Sequence, residues 1–420
     1  MSDDEETVPP ERDKSSTAGA EKRPKPTPYP RSLPQPSKPA PAPEPPPRRK
    51  RSRVRGAAKA VVALVSVAAL AATGYAYVRI NDVRDNVQTT PSLQEQNDPA
   101  APPADDGATD ILLVGADSRT DQQGNQLPLD LLKRLRTEAV AGVNTDTLIV
   151  LRIPKDGSKP SAVSIPRDTW VDIPERGKGK INSAFGVAKE KAAQSLRGKR
   201  DDAAVERESD QAGRAVLVKT VQDFTQIRLD HYAEIGLLGF YLLTEALGGV
   251  KVCLKHATED KDSGASFRKG VQVVSGGEAL SFVRQRKNLP GGDLGRIVRQ
   301  QAFLSSALKQ VLSAGTLADP RELTELTDVV RRSLVLDPDL DLLEFAQQAR
   351  SLAGGNVNFV TIPVVAVGAR SDDGQSIIEV DLPAVRQFVA GLAGRGAPTA
   401  GGGAAAGSAQ ASQDGVTCVD

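Results

Sequence analysis

Residues 111–119 read ILLVGADSR, an apolar run followed by a glycine, an aspartate and an arginine. Four consecutive apolar residues that end at a turn-forming position are typical of a buried β-strand. Asp117 and Arg119 therefore follow the predicted end of a strand, where loops carry polar side chains. This stretch predicts a buried sheet with a charged site at its edge.

Two further apolar runs, Leu148–Ile153 and Ser161–Ile165, predict neighbouring strands. Helical and strand-like patterns then alternate along the chain, which favours an α/β fold. We predict one layered α/β domain over residues 109–392. Within it, the charged stretch 187–214 is expected to form a solvated insertion.

The ends of the chain differ in composition from this domain. Of the 29 prolines among 420 residues, 14 precede Arg48, in a stretch with few apolar residues. Such a stretch buries too little apolar surface to offset its ordering entropy. We therefore expect residues 1–59, Pro-rich and then basic, to be disordered in the cytoplasm, and the Gly/Ala-rich tail 393–420 to be disordered too.

A membrane anchor is predicted at residues 60–79, because residues 60–78 form an uncharged, mostly apolar run directly after the basic segment 48–59. Basic flanks remain in the cytoplasm, so the single-pass anchor places the following domain outside the cell membrane. Residues 80–108 then form an extracytoplasmic spacer. The alternative is a cleaved signal peptide, but the apolar run is longer than a signal requires and 59 residues precede it.

Composition excludes several other classes of protein. The basic segment lacks interleaved aromatic residues, and its position against the anchor explains it, so no nucleic-acid partner is predicted. Two histidines, His231 and His256, argue against a zinc site or a Ser/His/Asp triad. Cys253 and Cys418 both follow the anchor, where a disulfide can form, and two unlinked thiols are the alternative.

Asp117 and Asp146 flank predicted strands and can together hold a hard cation. Mg²⁺ takes one or two carboxylates and completes its shell with water and phosphate oxygens. Mn²⁺ suits the same oxygen ligands. Either aspartate alone is more typical of a turn or a helix cap. Both are also candidates for the general base, although a metal ligand is a weak base.

Arg167 follows the third predicted strand, where a guanidinium can bind a phosphate through two parallel hydrogen bonds. The alternative is a surface ion pair with Asp168 or Asp172, and sequence alone does not choose between them.

Further arginines lie near two predicted helices. Arg284 and Arg286 can reach one ligand only if the helix ends between them, because residues two apart do not share a face. Arg296 and Gln300 share a face of the next helix, and Arg299 lies beside them. A solvated charged face is the alternative for Arg296. Taken together, these arginines and the two aspartates suit a pyrophosphate and its transition state.

The ordered set of motifs resembles the LytR-CpsA-Psr family of bacterial cell-wall proteins, over residues 109–392. It comprises 111–119 (ILLVGADSR), 146–147 (DT), 164–168 (SIPRD), 180–185 (KINSAF), 231–232 (HY), 247–250 (LGGV), 279–286 (ALSFVRQR) and 293–301 (DLGRIVRQQ). The resemblance implies a central mixed sheet flanked by helices in α-β-α layers, with an apolar groove for a polyprenyl chain.

The resemblance also implies an enzyme that moves a glycopolymer, such as a teichoic acid, from a polyprenyl-pyrophosphate carrier to peptidoglycan, at the muramic acid 6-hydroxyl. By this resemblance, Mg²⁺ or Mn²⁺ is held by Asp117 and Asp146. The remaining implied site residues bind pyrophosphate or lie near the phosphates: Arg167, Arg284, Arg286, Arg296, Arg119 and Gln300. We assign Arg299, their neighbour, to substrate binding.

The chain departs from the family pattern at Asn144, where arginine is common, and at Gly236 and Glu245, where aspartates are common. None of these positions belongs to the proposed metal pair or to the main group of arginines. Two alternatives to the transferase remain open. One is hydrolysis of the carrier pyrophosphate, and the other is a non-catalytic wall regulator that binds polyprenyl phosphate.

Overall fold

A computed structural model of the protein shows a mixed α/β domain, which contains the Asp and Arg motifs described above. The structure describes residues 88–93, 102, 106–137, 144–311, 328–330, 332–340, 357–392, 412–413 and 415–420. The strands are β1 (Gln88–Thr89), β2 (Ala108–Ala116), β3 (Thr145–Pro154), β4 (Ser161–Ser164), β5 (Trp170–Ile173), β6 (Gly177–Lys180), β7 (His231–Gly236), β8 (Val250–Leu254), β9 (Thr258–Asp260), β10 (Ala265–Phe267), β11 (Gly270–Val274), β12 (Leu334–Leu336), β13 (Asn358–Thr361), β14 (Ala366–Arg370), β15 (Ser376–Glu379), β16 (Ser412–Gln413) and β17 (Val416–Val419). The helices are α1 (Leu129–Arg134), α2 (Ser183–Leu196), α3 (Asp202–Thr225), α4 (Leu237–Ala246), α5 (Gly276–Arg284), α6 (Asp293–Val311) and α7 (Leu382–Gly391).

The central sheet is mixed, as predicted, with seven strands in the order β1-β12-β7-β2-β3-β4-β13. The β2 strand pairs antiparallel with β3 and parallel with β7. The β4 strand pairs antiparallel with β3 and parallel with β13. Because β2 and β3 run in opposite directions, the end of β2 and the start of β3 meet at one edge of the sheet.

Helices cover both faces of this sheet. Side chains alternate between the faces along each strand, so Ile111 and Leu112 of β2 lie on opposite faces. On one face, Leu112 packs in a buried cluster with Leu217 of α3 and Val385 of α7. On the other face, Ile111 belongs to a second cluster, against which Leu304 of α6 packs. The predicted α-β-α layering is therefore present.

The expectation of a solvated insertion at residues 187–214 is wrong. This stretch forms most of α2 and the first half of α3, which pack against each other and the sheet. Its charges are paired within the fold: Lys189 Nζ lies 2.7 Å from Asp210 Oδ1, and Arg214 Nε lies 2.8 Å from Glu234 Oε2. Charged residues that face inward in pairs leave the same sequence pattern as a solvated helix.

Two segments predicted to lie outside the domain contribute strands to it. In the spacer, Gln88–Thr89 pairs with β12, and Thr90 is buried. In the tail, β17 pairs parallel with β8, and a second sheet runs in the order β11-β8-β17-β16. The predicted disordered segment 1–59 and anchor 60–79 lie outside the described residues. Among the residues described, no helix has the length and apolar character needed to cross a bilayer.

A disulfide joins Cys253 of β8 to Cys418 of β17, which rules out the alternative of two unlinked thiols. The bridge closes a loop over a sequence separation of 165 residues. Long loops lose the most chain entropy on cross-linking, so the bond stabilises the fold mainly by restricting the unfolded chain.

Reducing this disulfide is expected to lower the free energy of unfolding by about 3 kcal/mol. Urea unfolding of the full-length chain in detergent, with and without reductant, measures the difference. A Cys253→Ser/Cys418→Ser variant serves as the control, because reductant should leave its stability unchanged. An unfolding midpoint that is the same in the oxidised and reduced wild type would contradict the expectation.

The start of β7 contains a pH-dependent contact. His231 Nδ1 lies 3.2 Å from Asp337 Oδ1, and the Asp337 carboxylate also accepts a hydrogen bond from the Tyr232 amide. Burial disfavours the imidazolium, but the hydrogen bond and charge of Asp337 outweigh it and raise the pKa of His231 above its usual 6.5. The contact therefore contributes its full stability below pH 6.5 and loses it as the pH rises through the raised pKa.

A His231→Gln variant is expected to lose about 1 kcal/mol of stability relative to wild type near pH 5.5, and less near pH 8.5. Urea unfolding of both chains at the two pH values gives the comparison. A stability difference that does not change with pH would show that the charge of His231 contributes nothing.

Candidate active site

The first aspartate of the site, Asp117, follows β2 at the edge where β3 begins. Its backbone amide donates to the Asn144 carbonyl at 2.9 Å, which fixes the turn. Gly115 permits the two strands to approach, since a Cβ there would lie 3.0 Å from the Cβ of Thr147. Asp146 is the second residue of β3, so the strand pairing brings the two aspartates to one edge, as predicted.

The Asp117 carboxylate is only half satisfied. Its Oδ2 accepts a hydrogen bond from Arg119 Nη2 at 3.0 Å, whereas Oδ1 is buried without a hydrogen-bond partner in the described part of the chain. Burial raises the pKa of Asp117, and the charge of Asp146 raises it further, against the lowering effects of Arg119 and Arg284. A buried carboxylate oxygen without a donor is suited to a cation.

Arg167 turns into the site and not toward the surface. Its Nη1 donates to Asp146 Oδ1 at 2.6 Å, and its Nε lies 3.6 Å from Asp293 Oδ1. The alternative partner Asp168 lies farther away, at 3.8 Å, and Asp172 pairs with Lys178. The side chain is thus held between the start of β3 and the start of α6. Its Nε has no hydrogen-bond partner among the described residues.

Arg296 is buried at the first turn of α6, so the alternative of a solvated face does not hold. Its Nη2 lies 2.9 Å from Asp293 Oδ1 and 3.5 Å from the Asp146 carbonyl oxygen. Burial lowers the pKa of Arg296, and the charges of Arg167 and Arg286 lower it further, whereas Asp293 and Asp146 raise it. A guanidinium under this repulsion is stabilised by any additional negative charge.

The α5 helix ends between Arg284 and Arg286, which was the condition for both arginines to reach one ligand. Its last residue is Arg284, which leaves Arg286 on the following loop. Arg284 Nη1 donates to the Arg136 carbonyl at 3.3 Å, and its charge reaches Asp117. Arg286 Nε lies 3.5 Å from Asp293 Oδ1, and its side chain is half exposed.

Asp293 is the site residue that sequence reasoning missed. Its side chain is 8% exposed, and its Oδ1 lies within 3.6 Å of nitrogens from Arg167, Arg286 and Arg296. The signal in the sequence was its position three residues before Arg296, one helical turn away. An aspartate in the first turn of a helix is common without any such role.

Gln300 and Arg299, two of the predicted substrate-binding residues, make contacts within the fold. Gln300 Nε2 donates to the Val283 carbonyl at 3.2 Å and so links α6 to α5. Arg299 is fully buried and contacts Gln285 and Asp420, not the aspartates of the site. The structure thus separates Arg299 from the arginines it was predicted to join.

The site carries more positive than negative charge. Its positive charges are those of Lys180 and of Arg119, Arg167, Arg284, Arg286 and Arg296. Its negative charges are those of Asp117, Asp146, Asp168 and Asp293. A surplus of two positive charges in a partly buried site suits a multiply charged anion such as a pyrophosphate.

The donor set also fits a metal that arrives with phosphate. No group of three or more His, Cys, Asp or Glu side chains able to hold a metal occurs within the described residues. Asp117 and Asp146 supply two carboxylates, one of them with the unpartnered Oδ1. Mg²⁺ needs only one or two protein carboxylates when substrate phosphates and water complete its shell.

Comparison with curated proteins gives relatives in bacterial cell-wall biosynthesis. The chain is 45% identical over 346 residues to the cell wall biosynthesis protein LcpA of Corynebacterium glutamicum, covering 80% of this chain and 66% of LcpA. It is 28% identical over 263 residues to the polyisoprenyl-teichoic acid–peptidoglycan teichoic acid transferase TagU of Oceanobacillus iheyensis, covering 62% of this chain and 68% of TagU. The chain thus spans about two thirds of the length of these relatives.

The fold agrees with a solved structure of the Streptococcus agalactiae protein gbs0355. The TM-score is 0.50 at 19% identity, covering 73% of this chain and 91% of that protein. The model of the LytR_cpsA_psr family matches residues 74–393, which include every residue of the site. The chain therefore belongs to the LytR-CpsA-Psr family.

Proposed function

We propose that this protein is a phosphotransferase that moves a glycopolymer from a polyprenyl-pyrophosphate carrier to peptidoglycan. The observation that carries the proposal is the convergence of Arg167, Arg286 and Arg296 on Asp293, beside the pair Asp117 and Asp146. Convergent guanidinium groups bind and orient phosphate oxygens, and they stabilise the charge that develops on them during transfer.

In the proposed reaction, a hydroxyl of the acceptor sugar attacks the phosphorus next to the glycopolymer. A new oxygen–phosphorus bond forms, the bridging bond of the pyrophosphate breaks, and polyprenyl monophosphate leaves with the bonding electrons. The proton of the attacking hydroxyl passes to water. Arg167 and Arg296 hold the phosphates in line for this attack, so much of the rate gain comes from positioning.

Asp117 and Asp146 would hold the Mg²⁺ or Mn²⁺ of this site. The bound ion would offset negative charge on the phosphate oxygens and the leaving group. Arg119 fixes Asp117 through the 3.0 Å contact at Oδ2 and leaves the buried Oδ1 for the ion.

The second face of the central sheet supports a site for the lipid chain. The apolar residues packed against its buried cluster are only partly buried, so part of their apolar surface is exposed. These residues are Leu113, Leu304, Leu308, Leu340, Val357 and Phe359. Covering such a surface with an isoprenoid chain stabilises binding by about 25 cal/mol per Å² removed from water.

The proposal also assigns the protein to the outer side of the cell membrane, with residues 60–79 as its anchor. The basic segment 48–59 would face the cytoplasm. The names of the relatives LcpA and TagU, which concern wall biosynthesis and teichoic acid transfer, support this assignment. The disulfide supports it as well, because such bonds persist in oxidising compartments.

The test uses the full-length chain in detergent, with a lipid-pyrophosphate-linked saccharide and peptidoglycan, with and without Mg²⁺. Mass spectrometry follows saccharide-phosphate on muramic acid and released polyprenyl phosphate. Metal-dependent transfer supports the proposal. Release without transfer would identify a hydrolase, and lipid binding without turnover would identify a non-catalytic binder. An Asp117→Asn variant should lose turnover and retain most of its affinity for the lipid.

A further inference from the structure

A buried glutamine, Gln285, lies between Arg284, which ends α5, and Arg286 on the following loop. Arg286 contacts Asp293, and the charge of Arg284 reaches Asp117. Gln285 Nε2 donates to Thr258 Oγ1 at 2.6 Å and to the Lys287 carbonyl at 2.9 Å. These two contacts fix the loop after α5, which carries Arg286.

The third contact of Gln285 comes from Arg299 of α6. Arg299 Nη1 donates to Gln285 Oε1 at 2.7 Å, and its guanidinium lies 5.0 Å from the ring centroid of Phe282. Burial lowers the pKa of Arg299 to about 10, although the charge of Asp420 works in the opposite direction. Burying a guanidinium with incomplete pairing is costly, and apolar side chains of similar size often give a more stable core.

Arg299 is in turn fixed by the segment that contains β17. Its Nε donates to the backbone carbonyl of Asp420 at 2.5 Å. That segment is held to β8 by the Cys253–Cys418 disulfide and by the Lys255 amide, which donates to the Val419 carbonyl at 2.8 Å. A continuous set of contacts therefore runs from the second sheet to the loop between α5 and α6.

We propose that Arg299 and Gln285 are positioning residues, through which the β17 segment sets the place of Arg284 and Arg286 for an anionic substrate. This inference rests on the proposed function, because it assigns the arginine pair to the pyrophosphate. It replaces the predicted role of Arg299 in substrate binding. Arg299 acts on the substrate through Gln285, since the hydrogen bonds from its Nε and Nη1 go to Asp420 and Gln285 and not to the aspartates of the site.

The test measures binding of a short polyprenyl pyrophosphate to the full-length protein, with Arg299→Met and Gln285→Met as variants. Each variant removes one side of the 2.7 Å contact and keeps most of the side-chain volume. Each is expected to raise Kd about tenfold, which corresponds to about 1.4 kcal/mol. Because both changes break the same set of contacts, the Kd of the double variant should not exceed the higher Kd of the two single variants.

A matched control separates positioning from a general loss of stability. Val252→Ala removes buried volume from β8, in the same core cluster as Phe282. The hydrogen bonds of the Gln285 and Arg299 side chains go to other residues. The thermal midpoint of Val252→Ala should fall, while its Kd at a temperature well below that midpoint should equal the wild-type value. The conservative variant Arg299→Lys keeps one donor and should recover part of the affinity.

Three outcomes would overturn the inference: wild-type affinity in both methionine variants, equal loss of affinity in Val252→Ala, or additive effects in the double variant. If one methionine variant does not fold, the other still decides. A wild-type protein that fails to bind the pyrophosphate would instead contradict the proposed function. The two failures are therefore distinguishable.

Discussion

Replacing Arg167 by alanine is expected to lower the rate of glycopolymer transfer about 10³-fold. Arg167 Nη1 contacts Asp146 at 2.6 Å, and its Nε faces Asp293 without a hydrogen bond among the described residues. The group is therefore placed to meet phosphate oxygens, and removing one such donor typically costs 10²- to 10³-fold in rate. Loss of the partner that orients Asp146 should place the effect at the upper end.

The rate constant kcat and the donor Kd should be measured separately for Arg167→Ala and Arg167→Lys. Lysine restores the charge but not the planar pair of donors, so it should recover only part of the rate. Arg197→Ala serves as the control, since Arg197 pairs with Glu190 on an exposed surface. If Arg167→Ala kept the wild-type kcat, Arg167 would have no part in the transfer reaction.

Replacing Asp293 by alanine is expected to lower the free energy of unfolding by about 4 kcal/mol, because it leaves a buried guanidinium without its partner. Arg296 is 2% exposed and has its closest carboxylate contact with Asp293, at 2.9 Å. The same change makes the site more positive by one charge. Ground-state affinity for a pyrophosphate should therefore be retained or increased, while kcat falls because Arg167 and Arg286 lose the carboxylate with which both form ion pairs.

Urea unfolding gives the stability of Asp293→Ala, and separate measurements of Kd and kcat give the split. Asp293→Asn is the informative companion, since an amide keeps the size and one acceptor but not the charge. It should fall between wild type and Asp293→Ala in stability. A parallel loss of affinity and rate in Asp293→Ala would show that Asp293 binds the substrate directly and does not hold the arginines.

The sequence predicted the parts of the site that depend on local pattern. Asp117 was predicted to follow one strand and Asp146 to precede the next, and the pairing of β2 with β3 brings both to one edge. A helix end between Arg284 and Arg286 was the condition for both to reach one ligand, because residues two apart do not share a helix face, and α5 meets that condition. These inferences need only neighbouring residues.

What the sequence could not predict depends on distant partners. Asp293 binds Arg167 across 126 residues, and Arg299 binds Asp420 across 121 residues. Neither pairing leaves a local pattern, so Asp293 resembled an ordinary helix-start residue and Arg299 resembled its substrate-binding neighbours. The wrong prediction for residues 187–214 has the same cause, because Arg214 pairs inward with Glu234 on another element.

The central claim is that the arginines hold a pyrophosphate while the phosphate next to the glycopolymer moves to a sugar hydroxyl. The most direct measurement uses a lipid-linked donor with an isotopic label in that phosphate alone. Full-length protein, donor and peptidoglycan are incubated, and the label is located by mass spectrometry. The account predicts that the label appears in a phosphodiester on muramic acid, while the released polyprenyl phosphate is unlabelled. Label in the polyprenyl phosphate, or in a free saccharide-phosphate alone, would contradict it.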